Sequence, residues 1–117
     1  MANPNIVNVA NIYAYTAVQN VSASPTAIIN NTAGSGTVVK VDGLYCSNTN
    51  SATQFLVTID IYRSSTAYNV ATQIAIPYNA TLDVLSKNLW LNEGDSLRLT
   101  ANAASAITAV CSYEVIS

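Results

Sequence analysis

Between Gln54 and Arg63 the chain alternates strictly: Phe55, Val57, Ile59 and Ile61 fall on one side of an extended backbone, and Thr58, Asp60 and Tyr62 on the other. A helix would scatter those apolar residues around its axis, whereas a half-buried strand gathers them on one face. The same period-two pattern returns twice. Val70, Thr72, Ile74 and Ile76 share a face in a segment that closes at Pro77. Ile107, Ala109, Cys111, Tyr113 and Val115 alternate with Thr108, Ser112 and Glu114 near the end of the chain. Repeated alternation of this kind confines the chain to the all-β class.

Turn chemistry separates the segments. Asn30 to Gly36 is a polar loop whose glycines permit positive φ, Ser47 to Thr53 is a second, and Arg63 to Thr66 a third. Pro77-Tyr78-Asn79 and Asn92-Glu93-Gly94-Asp95 read as tight turns between neighbouring antiparallel strands. At Gly43 the alternation of Val39 and Val41 shifts phase to Leu44 and Cys46, which predicts a β-bulge. Counting runs and turns gives about eight strands, enough for two packed sheets. The expected architecture is a single antiparallel β-sandwich, jelly-roll-like, over residues 1–117. The buried positions expected are Phe55, Val57, Ile59, Ile61, Ile74, Ile76, Leu97 and Leu99.

The opening segment differs. From Asn5 to Val18 apolar residues occur at both parities, with Ile6, Val7, Val9, Ile12, Tyr13 and Tyr15 leaving neither face plainly wet. Residues 1–18 are therefore either an intersubunit arm or an inner strand of the domain's own sheet, and those six side chains are the candidate interface.

Charge narrows the function classes. Only 9% of residues are charged, against about 25% in ordinary soluble domains, and Asn, Ser and Thr fill the polar positions instead. A domain without charge to keep it apart from its neighbours suits a life with much of its surface covered by partners. Four basic residues, a net charge of −2 and no basic patch argue against nucleic-acid binding. No apolar run approaches the ~20 residues of a membrane-spanning helix. Met1 to Asn11 lack the pattern of a secretory signal, so synthesis in the cytosol is expected.

Chemistry is sparse. Without histidine there is no Ser-His or Cys-His pair and no ordinary zinc site, and no catalytic residue, cofactor or metal ligand is expected. Glu93 and Asp95 flank Gly94, where a turn accounts for both better than a carboxylate pair or a calcium loop does. The seven tyrosines and Trp90 are dispersed along the chain, as strand packing would leave them, rather than gathered as in a sugar-binding platform. Cys46 and Cys111 have no motif spacing and are expected as buried free thiols.

Three stretches carry a family likeness. Met1 to Val9, Leu89 to Leu97 and Ser112 to Ser117 resemble small virion structural proteins of tailed bacteriophages, particularly those that infect cyanobacteria. The resemblance implies a β-sandwich in the virus particle and no catalytic residues. The role it points to is capsid decoration, as a cement protein on the capsid surface. The partners implied are the major capsid protein and the chain itself, as a homotrimer at threefold positions. A neck, tail or fibre component is the competing expectation, and a carbohydrate-binding module a further one.

Overall fold

A computed structural model describes residue 8, residues 10–85 and residues 87–117. Among these described residues nine strands follow in chain order: β1 (Ile12–Val21), β2 (Thr26–Asn30), β3 (Val38–Asn48), β4 (Phe55–Arg63), β5 (Thr66–Ile76), β6 (Thr81–Asp83), β7 (Leu89–Leu91), β8 (Ser96–Ala101) and β9 (Ile107–Ile116). The pairings between them are antiparallel. One sheet runs β1-β9-β3, with β6 and β7 both on the far side of β3, and the other runs β2-β8-β4-β5. After β1 the chain crosses from sheet to sheet at nearly every connection, which makes this a jelly roll.

The expected eight strand positions are present, one of them in two pieces. β6 pairs with Tyr45 to Ser47 and β7 with Val39 to Val41, so together they form one interrupted neighbour of β3. Between the sheets lies a core that includes the wholly buried Val41, Leu44, Val57, Ile59, Leu91, Leu97 and Leu99. This burial follows from alternation, since each strand sends every second side chain inward.

The bulge at Gly43 is real. β3 slips by one residue against β9 between Val41, opposite Tyr113, and Gly43, opposite Ser112. The extra residue resets the parity of β3, so that Val41 and Leu44 both reach the core with no exposed surface.

Three sequence expectations need correction. The turns at Pro77–Asn79 and Asn92–Asp95 do not join neighbouring strands of one sheet. The first carries the chain from β5 to β6 and the second from β7 to β8, each a corner between the two sheets. The true hairpin joins β4 to β5 through Ser64 and Ser65, both at positive φ. In β5 the face Val70-Thr72-Ile74-Ile76 is broken. Two register slips against β4 place Ala71 opposite Ile59 and Ile74 opposite Val57, with Gln73 at φ 49°. Ala71 packs on the core and Val70 is 39% exposed. Phe55, Ile61 and Ile74 are partly buried, because they lie near the rim of the sandwich.

Candidate assembly surface

β1 lies at the edge of its sheet, hydrogen-bonded to β9 over ten consecutive register pairs from Ile12↔Ile116 to Val21↔Ile107. It is therefore an outer strand of the domain's own sheet, not an inner one. Of the six candidate interface residues, Ile12, Tyr13 and Tyr15 sit on this strand and are 55%, 55% and 50% exposed. Ile6, Val7 and Val9 lie outside the described residues.

Parity explains the exposure. Tyr13 and Tyr15 share the inward side with Ala17 and Val21, opposite Val115 and Tyr113 of β9. Val21 is wholly buried and Ala17 packs on the core, but at the Ile12 end the inward-facing rings stand clear of it. Tyr15 tilts against Tyr113 at 5.6 Å between ring centroids, within the range of favourable aromatic pairs. Beside Tyr113 and Val115 a cleft of about 260 Å³ is lined also by Ile28, Ile29 and Val39. On the outer face, Val18 is 72% exposed and opens a cross-strand row of Val18, Val110 and Tyr45. Thus β1 offers apolar surface on both faces. Val18, Tyr113 and the Ile28 side of the cleft were missed by sequence reasoning, because only the long-range pairing of β1 with β9 brings them to one place.

Most of the charged side chains serve the fold. The Asp95 carboxylate is 1% exposed and holds the Arg63 guanidinium through two hydrogen bonds, at 2.7 and 2.5 Å, while accepting the Asn92 amide. This ties the corner between β7 and β8 to the end of β4. The Arg63 hydrogen bond holds the Asp95 carboxyl below its ordinary range, against the opposing effect of burial. Glu93 accepts the Gly36 amide at 2.5 Å, so both acids of that turn brace neighbouring loops. Asp60 pairs with Arg98, whose guanidinium also lies 4.0 Å from the centre of the Tyr62 ring. Lys40 lies between Asp42 and Glu114.

Two buried asparagines, read in the sequence only as loop residues, organise the loops. Asn31 donates to the Thr37 and Leu91 carbonyls and accepts from Ser35 and Thr37, while Asn48 donates to the Thr53 and Ile76 carbonyls. A buried amide with four partners replaces backbone pairing that irregular loops cannot supply. Cys46 and Cys111 are buried free thiols on adjacent strands, and burial pushes both up to about 12. Among the described residues no group of three His, Cys, Asp or Glu side chains is placed to hold a metal. Exposed aromatics are distributed: Tyr13 and Tyr15 on β1, Tyr45 and Trp90 on the outer face of the same sheet, Tyr68 on β5 and Tyr78 at a corner.

No family model matches the chain, and no curated protein does. Solved structures do share its shape. A protein of Bacillus endospore appendages, a family of disulfide-linked pili, superposes with a TM-score of 0.54 at 14% identity, covering 91% of this chain and 85% of that one. A triple jelly-roll protein of an archaeal virus turret assembly gives 0.50 at 21% identity, covering 94% of this chain, which spans only 30% of that longer protein. A pentameric capsid protein from metagenomic phage sequences gives 0.43 at 21% identity, with this chain spanning 59% of its length. At such identities, what the chain shares with the first two is the jelly-roll sandwich itself.

Proposed function

We propose that the chain is a non-catalytic structural subunit of a virus particle, decorating and stabilising a phage capsid as a cement protein. The observation that carries this reading is β1: a long edge strand, uncharged, with exposed Ile12, Tyr13, Tyr15 and Val18 on its two faces. Such an edge is a liability in a free monomer and an asset in an assembly. The virion likeness of the sequence and the archaeal virus fold support the same setting. The partners would be the major capsid protein and other copies of the chain. The dispersal of the exposed aromatics gives a carbohydrate module less support. A second reading, a subunit of a filament, is favoured by the near-complete mutual coverage with the endospore pilus protein.

The test compares virions with and without the protein under heat or osmotic shock while copies per particle are counted. Hundreds of copies, and capsids that break in their absence, are expected. A handful of copies with capsid strength unchanged and adsorption lost would move the protein to the neck or tail. Fibres formed by the purified chain alone would favour the filament.

A further inference from the structure

Among the described residues the two sheets have four edges, formed by five strands, and they are not equally guarded. The edge opposite β1 is β6 and β7, three residues each and interrupted. β2 has five residues, follows Pro25 and slips register between Ala27 and Ile29. β5 has eleven, but two bulges and the left-handed Gln73 break its line of free amides and carbonyls. These are the usual defences against strand addition. β1 has none. It holds ten register pairs without a slip, and it contains no Pro, Gly or charged residue. No Asp, Glu, Lys or Arg at all precedes Lys40 in the chain.

We propose that β1 pairs with β1 of a second copy, antiparallel about a two-fold axis, joining the two β1-β9-β3 sheets into one. This rests on reading β1 as an assembly contact, though not on the capsid role. A two-fold places each residue against its own kind or near it, so a charged edge would repel itself, whereas this one does not. Faces must also match. With Thr16 on the axis, Thr16 meets Thr16, Ala14 meets Val18 and Tyr15 meets Ala17 across the new seam, each pair of one parity and therefore on one face. Small residues then oppose the larger ones, and the exposed Val18 and Tyr15 lose water contact. The arrangement is a dimer, in contrast to the homotrimer that threefold capsid positions would suggest.

The test follows the mass of the full chain by analytical ultracentrifugation from micromolar to millimolar concentration. Wild type should reach twice its 12.3 kDa mass. Thr16→Lys, at an exposed position, should weaken the dimer about tenfold or more through like charges facing across the axis. Val70→Lys on the bulged β5 edge should leave it intact. Mixing Thr16→Lys with Thr16→Glu should restore association as a mixed pair. Should Thr16→Lys fail to fold, hydrogen exchange of wild type decides instead, since protection of the Ile12–Val21 amides must rise with concentration. A wild type monomeric throughout, a trimer, or a dimer that Thr16→Lys and Val70→Lys affect alike would overturn the proposal. A capsid that still needs the chain after that result would leave its decorating role standing, so the two readings fail separately.

Discussion

Asp95 ties the corner between β7 and β8 to the end of β4. Its buried carboxylate satisfies Arg63 and the Asn92 amide at once, and the neighbouring backbone bonds Asn31. Asp95→Asn keeps the shape but gives up the charge-assisted bonds, and should cost about 2 kcal/mol by urea denaturation. The acid side of the stability curve should change with it. Because the folded carboxyl is held below its ordinary value, its contribution is full above the unfolded value of about 4 and is lost as the pH falls toward the folded one. The Asn variant should lose less stability on acidification than wild type does. In the sequence Asp95 was legible as a turn residue only. Its partner Arg63 is 32 positions away, on a different strand, so no local pattern could join them.

At the scale of elements, β4 and β9 were plain from alternation alone, because each spans one sheet face without interruption. Ile59 is wholly buried at the centre of β4, between Leu99 of β8 and Ala71 of β5. Ile59→Ala should destabilise by about 2–5 kcal/mol, through lost transfer energy and the cavity left behind. Val70→Ala on β5, 39% exposed, should change stability by no more than about 0.5 kcal/mol. Equal costs at the two sites would show that the register slips in β5 are misassigned. Those slips were hidden from sequence reasoning because a bulge in one strand is defined by its partner. Gly43 was an exception, visible because the apolar phase itself jumps there.

For the whole molecule the governing fact is how little charge remains for partners. Lys40, Arg63 and Arg98 are all engaged in ion pairs within the chain. The proposed attachment to a particle, or to another copy, would then rest mainly on apolar contacts and uncharged hydrogen bonds. Raising salt tenfold should change the apparent affinity by less than about threefold, as measured by cosedimentation with particles stripped of the protein. A steep fall with salt would mean that charged contacts dominate. What the sequence determined by itself was the class of structure: strands where apolar residues alternate, breaks where Gly, Pro, Asn and Ser gather, and a surface almost without charge. These are local properties, set within a few residues by backbone geometry and side-chain solvation. The tertiary structure alone decided which strands became edges, which turns became corners, and that Tyr15 would lean on Tyr113 rather than into the core. Such outcomes depend on pairings between segments far apart in the chain, where a one-residue slip exchanges the inner face for the outer.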